Sequence, residues 1–413
     1  MPRQHGPGGP ERARLRRAAA VLTSLVALAA TGLVAGPAVA VSRDGGPCAL
    51  PRTGAHHSLG LDTWNGAYPR PARALDAVMI FLSFPDSDPV VPPRALAADY
   101  FPSTTRFFQR ASYGKFTLRA HPQPRWTAMP HPSTWYGIQR DWGSEHRSAY
   151  LRDAIRAADA QTDFSAYDVV YLVADPDAPG VDSDATKVVN FDRPVRADGT
   201  DIRRVVTVFE EHPPDRNVLA HETGHVFDLA DLYHRPEDGK GDWDTYVGDW
   251  DVMGSQFGLA PDLFGWHKWK LGWLAGDEVV CVQGAADLTL QPMAEVPRPG
   301  ESVGTRLAVV RTGTDSAVAI EARSATGNDR TTCTEGVLVY RIRNATPSGG
   351  GPVEVLDTHP GSDACWDRSV YPPLADAPLR EGERYTVPGE RIRIDVADRT
   401  RSGAWTVRVT TGA

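Results

Sequence analysis

Sulfur is scarce in this chain: its 413 residues hold four Cys and five Met. None of Cys48, Cys281, Cys333 and Cys365 stands at metal-ligand spacing from another, which excludes the small folds built on cysteine-bound zinc. No long basic tract is present, so nucleic acid is not an expected partner. Beyond residue 40 there is no apolar run long enough to cross a bilayer. The mature chain is therefore expected to have no membrane contact, and to be a monomer. Internal repeats and low-complexity tracts are absent as well.

The first 40 residues differ from the rest. Arg12, Arg14, Arg16 and Arg17 precede an apolar stretch from Ala18 to Val34, and Ala38-Val39-Ala40 supplies small residues at cleavage positions. That order is expected of a secretory signal peptide, by a general or a twin-arginine route. Without this segment, which holds five Arg and one Glu, the formal charge falls from −8 to −12. Four cysteines are an even number in a chain bound for an oxidising compartment. Cys48 has two readings: a disulfide partner, since three cysteines further on leave one unpaired without it, or a thiolate held on a metal in a latent precursor.

Residues 41–73 are rich in Gly, Pro and Arg and lack periodicity, an irregular lead-in or short pro-segment. Residues 74–275 read as an α/β domain. Ala77 to Phe84 has the length of a buried strand, Ser103 is placed to cap a helix carrying Phe107 and Phe108, and Leu151, Ala154, Ile155 and Ala158 mark a longer helix. Strands follow at Val169 to Val173 and Val205 to Phe209. Residues 276–413 change texture to short Val, Ile and Tyr runs divided by Gly, Pro and Asp clusters, among them Ser348-Gly-Gly-Gly-Pro352, which predicts an all-β, sandwich-like module.

The chemistry concentrates in Leu219-Ala-His-Glu-Thr-Gly-His-Val-Phe-Asp-Leu-Ala-Asp-Leu-Tyr233. On a helix His221 and His225 are about 40° apart in azimuth and one turn apart in height, so both imidazoles can meet one ion, with Glu222 about 100° round. A catalytic zinc site needs a third protein ligand and an open position. Asp231 is the candidate. A continuous helix would carry it about 9 Å past His225, so the chain must leave the helix near residue 228 and turn back. Asp228 is a rival oxygen ligand, and His234 and Glu237 are more distant ones.

HETGHVFDLAD resembles the extended zinc motif of the metzincin metalloproteases in its aspartate form. Gly248-Asp-Trp-Asp-Val-Met-Gly254 resembles the methionine turn of that clan, and Trp266-His-Lys-Trp-Lys-Leu-Gly-Trp273 follows it. With Asp231-Leu-Tyr233, Ala111-Ser-Tyr-Gly-Lys115 and Glu335-Gly-Val-Leu-Val-Tyr340, the chain is most similar to the immune inhibitor A family of secreted bacterial metallopeptidases, over about residues 75–345. The resemblance implies a zincin-like domain followed by a β-sandwich-like one. It implies zinc on His221, His225 and Asp231, Glu222 as general base, Met253 under the metal, and polypeptide substrates. The family glycine that ends the helix is Asp228 here, one of the few non-glycine types that visits the left-handed region.

Tyr233 and Tyr246 are both candidates for a second electrophile. Asp175, Asp177, Asp182 and Asp184 are candidate calcium ligands on a loop, with a solvated acidic turn as the commoner meaning of such a cluster. The function expected is a secreted zinc endopeptidase. Its rivals are an extracellular binding protein with a vestigial protease domain and a zinc amidase acting on cell-wall peptide.

Overall fold

The computed structural model describes residues 46–236, 240–296 and 304–412; the expected signal segment lies outside them. The first half is mixed α/β. Strand β1 (Ala74–Ser83) is followed by helices α1 (Pro93–Tyr100) and α2 (Ser103–Ala111), strand β2 (Thr117–Ala128) and helix α3 (Ser144–Asp159). Strands β3 (Val169–Ala174), β4 (Lys187–Ala197) and β5 (Thr200–Val208) precede helices α4 (Val218–Val226) and α5 (Gly265–Lys270). Five strands form one sheet in the order β2-β1-β3-β5-β4, all parallel except the β4–β5 pair. Ser103 lies inside α2 and does not cap it: Pro102 precedes the helix and the Ser103 hydroxyl donates to the Tyr100 carbonyl at 2.6 Å.

β1 reads as a continuous apolar run because both of its faces are covered. Ala77, Met79 and Phe81 enter one core with α1, α2 and α4, while Val78, Ile80 and Leu82 enter a second with α3. β2 and β4, which no apolar run announced, are the two edges of the sheet. Edge strands bury less and tolerate proline, and β2 carries Pro122 and Pro124.

The second half has two sheets. β6 (Val279–Cys281), β8 (Leu307–Arg311), β9 (Ser316–Arg323), β10 (Gly336–Arg343) and β11 (Val353–Val355) form one, in the order β11-β10-β9-β8-β6. β7 (Ala285–Leu290), β12 (Arg384–Thr386), β13 (Ile392–Arg399) and β14 (Trp405–Thr411) form the other, in the order β12-β13-β14-β7. Val318, Ile320 and Val339 face Ile394, Val407 and Val409 across a sandwich core. The alternate residues Ala319, Leu338 and Tyr340 turn the other way and join Phe108, Leu219, Phe227 and Trp266 in the core beneath α4. The β region is thus packed onto the helix that carries the histidines.

All four cysteines are paired, Cys48 with Cys281 and Cys333 with Cys365, as in an oxidising compartment. Cys48 therefore offers no thiolate to a metal. Its bridge anchors the lead-in to β6 across 233 residues of chain. Among the described residues, no helix is long and apolar enough to cross a membrane. Replacing Cys48 and Cys281 together by alanine is expected to lower the unfolding free energy by about 2–5 kcal/mol. Urea denaturation of the folded chain measures it, and an unshifted midpoint would show that packing alone holds the lead-in.

Candidate metal centre

Helix α4 ends at Val226 because Asp228 adopts a left-handed conformation (φ 64). The turn lets the Leu229 and Phe227 amides close on the Gly224 carbonyl, 3.1 and 3.0 Å away, and it reverses the chain. Asp231 is thereby returned to the histidines. Its Oδ1 lies 2.9 Å from Nε2 of His225 and 3.3 Å from Nε2 of His221, and the two Nε2 atoms are 3.2 Å apart. Among the described residues this is the one group of three or more His, Cys, Asp or Glu side chains whose ligand atoms gather this closely.

The outer nitrogens decide what the inner ones can do. Nδ1 of His221 faces the Val252 carbonyl and Nδ1 of His225 the Leu229 carbonyl, each at 2.8 Å. A carbonyl only accepts, so each Nδ1 carries the hydrogen and each neutral ring presents a lone pair at Nε2. Oδ1 of Asp231 is buried and accepts no hydrogen bond. Three acceptor atoms thus face one another, which is unfavourable unless a positive charge lies between them. Their electrostatics agree. Burial opposes a charged imidazole, but the Asp231 carboxylate outweighs it, raising His225 to about 9 and His221 above its ordinary value. Asp231 is held well below the ordinary carboxylate range by the same contacts, against its own burial.

This donor set fits zinc. Tetrahedral bonds of about 2.0–2.1 Å separate neighbouring ligand atoms by about 3.3 Å, close to the three distances observed. Glu222 stands one residue along, 7% exposed, with Oε2 buried and without a partner. Burial raises its carboxyl above the ordinary value, partly countered by the two imidazoles. These groups line a cleft of 500 Å³ together with His56, Tyr233, Trp243 and Phe257. Tyr233 stacks 6.4 Å from His221, whereas Tyr246 is not among the cleft residues and packs against His234 and under Gly351.

Met253 lies beneath α4. A Cβ on Gly224 would collide with its Sδ, so the glycine of HETGH makes room for the methionine. Asp251 (φ 127) shapes the turn: Oδ1 accepts the Met253 amide at 2.8 Å, and Oδ2 accepts the Phe264 amide at 2.8 Å and Nδ1 of His267 at 2.9 Å. Asp249 likewise accepts the Leu259 amide at 3.0 Å and the Ser369 hydroxyl at 2.6 Å. Both aspartates of Gly-Asp-Trp-Asp thus hold loops.

Asp228 points away from the histidine pair. Its carboxylate is fully buried and meets Nη2 of Arg52 at 2.7 Å, Nδ1 of His57 at 3.0 Å and Nζ of Lys270 at 3.4 Å. His234 gives its backbone amide to Trp243 and its ring to Tyr246, outside the metal-ligating group, and Glu237 lies outside the described residues. The four loop aspartates do not gather either. Asp175 accepts the Ser87 hydroxyl at 2.7 Å, Asp177 faces the Val90 amide, Asp182 accepts the Asp184 amide at 3.0 Å and Asp184 pairs with Arg140 at 3.4 Å.

One contributor had no sequence signal. Ser348, on the loop between β10 and β11, accepts the Asp231 amide at 2.8 Å and donates its hydroxyl to Asp231 Oδ2 at 3.0 Å. The Gly349 amide donates to the Asp231 carbonyl at 3.2 Å. The β region therefore orients the carboxylate of the site's third member, Asp231, a contact across 117 residues that no local pattern foreshadows.

No family model matches the chain, and no curated protein matches it. Among solved structures, that of wild-type OgpA from Akkermansia muciniphila aligns over 84% of this chain and 97% of its own, at 10% identity and a TM-score of 0.30. A likeness at that level carries no argument about fold or chemistry.

The Asp228 cluster has a pH signature. Burial opposes its ionisation, but His57, Lys270 and Arg52 overcome this and lower it from 3.8 to about 2. A depressed carboxyl stabilises the fold fully above its unfolded value and loses that contribution as pH falls towards the folded one. Asp228→Asn is expected to lose on the order of 2 kcal/mol at neutral pH. The gap to the parent chain should close between about pH 4 and pH 2. Thermal unfolding across that range reads it, and a gap independent of pH would mean the carboxylate charge is not what holds the turn.

Proposed function

We propose that this chain is a zinc-dependent endopeptidase of the zincin type, similar to the immune inhibitor A family, exported and acting on polypeptides outside the cell. The observation that carries the proposal is the convergence of three buried lone-pair donors, with both Nδ1 atoms committed to carbonyls and a carboxylate beside them that keeps one oxygen without a partner. A vestigial site has no reason to retain that carboxylate. Two disulfides suit an oxidising compartment.

His221, His225 and Asp231 would hold the ion. When bound, zinc supplies a Lewis acid that polarises a carbonyl and makes water acidic near neutral pH. Oε2 of Glu222, free of other partners, takes a proton from the attacking water and returns it to the departing amine nitrogen. Burial favours this exchange by lifting the carboxyl towards the operating pH. Tyr233 is the cleft tyrosine stacked beside His221 and offers its hydroxyl to the developing oxyanion; burial raises its pKa, so it stays protonated and able to donate. The substrate class is supported by β4, the antiparallel edge of the sheet, whose Lys187, Val188 and Asn190 border the cleft. An edge strand offers unpaired backbone groups to an extended peptide.

Metal analysis of the mature chain is expected to find one zinc per molecule, lost in Asp231→Ala. Glu222→Gln should keep the zinc and the thermal midpoint while casein or peptide-library hydrolysis falls by about a hundred- to ten-thousand-fold. Hydrolysis that survives this substitution would remove Glu222 from the mechanism. Ser348→Ala should weaken zinc binding by about 10–100-fold in competition with a chelator, since it frees the carboxylate of the third ligand. Ser348→Thr, which keeps the hydroxyl, should restore it. Equal affinities in all three chains would confine Ser348 to loop packing.

A further inference from the structure

Separate from the cleft, the structure has a cavity of 480 Å³ walled by Arg106 and Arg110 on α2, Arg216 just before α4, and Arg330 after β9. Ser103, Asn217, Asn328 and Thr331 add polar atoms, and no Asp or Glu lines it. Four guanidinium groups without a carboxylate are unexpected in a chain whose formal charge is −8. Nearby acids are committed elsewhere. Asp262 pairs with Lys268 at 2.7 Å, Asp329 with Arg323 at 2.8 Å, and Asp99 with His212 at 2.8 Å, while Asp215 accepts the Gln256 amide at 3.0 Å.

Three of the four guanidinium groups are unused. Among the described residues, Arg106, Arg110 and Arg330 make no side-chain hydrogen bond, ion pair or ring contact with another residue. Arg216 donates through Nη2 to the carbonyls of Phe257 and Gly258, at 2.5 and 3.0 Å. Arg106 and Arg110 are one helical turn apart, a spacing at which like charges repel and destabilise a helix. Asn217, in a left-handed conformation (φ 62), keeps its place by donating to the Gln256 carbonyl at 3.2 Å. The forked, permanently charged guanidinium matches the paired oxygens of phosphate and sulfate, and several forks converging on one cavity neutralise a multiply charged group.

We infer that this cavity binds an oxyanion of the phosphate or sulfate type, free or as an ester on a larger ligand whose remainder the cavity also admits. The site lies against the cleft wall: Arg216 holds the carbonyl of Phe257, and Phe257 lines the cleft. The inference does not depend on the peptidase reading, because an anion can occupy the cavity whether or not the chain hydrolyses peptides.

The test is calorimetric titration of the folded mature chain in about 0.15 M sodium chloride, where diffuse charge attraction is screened. The probes are inorganic sulfate, pyrophosphate and a heparin-derived sulfated oligosaccharide. Saturable binding of at least one is expected, weakened at least about tenfold in Arg106→Gln/Arg110→Gln, which removes two charge-assisted hydrogen-bonding groups. Arg330→Gln should weaken it as well. Both arginines of the double variant are exposed, and its thermal midpoint should match or exceed the parent's because a like-charge pair is gone. Binding of the inorganic ions identifies a free-ion site, and binding of the oligosaccharide alone identifies an ester site. No saturable binding of any probe, or equal binding by parent and variants, would overturn the inference.

Discussion

The left-handed turn at Asp228 is the constraint on which the site depends. A straight helix would carry Asp231 away from the histidines, so its carboxylate joins them only because the backbone reverses there. A side chain in that region costs energy that glycine would not. This chain offsets it by burying the Asp228 carboxylate among Arg52, His57 and Lys270, with Lys270 also donating to the Asp228 carbonyl. An acid at this left-handed position thus recruits the lead-in segment, which supplies Arg52 and His57, into the support of the site. His57 in turn stacks 5.5 Å from His225. The bridge from Cys48 to β6 holds the same segment just ahead of Arg52.

The second support comes from the β region. Ser348 and Gly349 fix Asp231 from outside, while Arg323 fixes the loop behind Met253 from within. The Arg323 guanidinium is fully buried, donates to the carbonyls of Ala260 and Asp262 at 3.0 Å each, and pairs with Glu321 and Asp329. Glu321 also accepts the Tyr340 hydroxyl at 2.7 Å and the Gly265 amide at 2.7 Å. Tyr113 and Lys115 reach across to the Met293 carbonyl and the Glu278 carboxylate in the same manner, at 2.8 and 3.5 Å. Segments that lie far apart in the sequence are the polar joints between the two halves. Satisfied buried networks of this kind hold one arrangement against others, because each member would be left unpaired if the halves shifted.

Much of the centre was legible in the sequence because its signals are local. The spacing of His221, Glu222 and His225 is a property of one helix turn, and the need for a break near residue 228 follows from the rise per residue. The buried strands β1, β3, β9 and β10 show as apolar runs because both faces are covered. β2 and β4 are not legible in this way: as edges they carry charges and prolines, although β4 borders the cleft. Ser103 looks like a cap but stands one residue too late, since Pro102 takes that place.

What the sequence determined by itself is therefore the chemistry that fits within one helix and its exit: two imidazoles on one face, a carboxylate beside them, and an aspartate beyond a forced turn. Tertiary structure alone decided which acid completes the group. Asp228 and Asp231 are three residues apart and chemically alike, and Arg52 and His57 of the lead-in, with Lys270, draw one away while Ser348 fixes the other. It also decided that Tyr233 and not Tyr246 borders the cleft, that Cys48 is bridged, and that Asp175, Asp177 and Asp184 disperse onto Ser87, Val90 and Arg140. Each of these choices depends on partners dozens to hundreds of residues away. The energy that selects among such partners is long-range burial and charge pairing, which appears only once the chain has closed on itself.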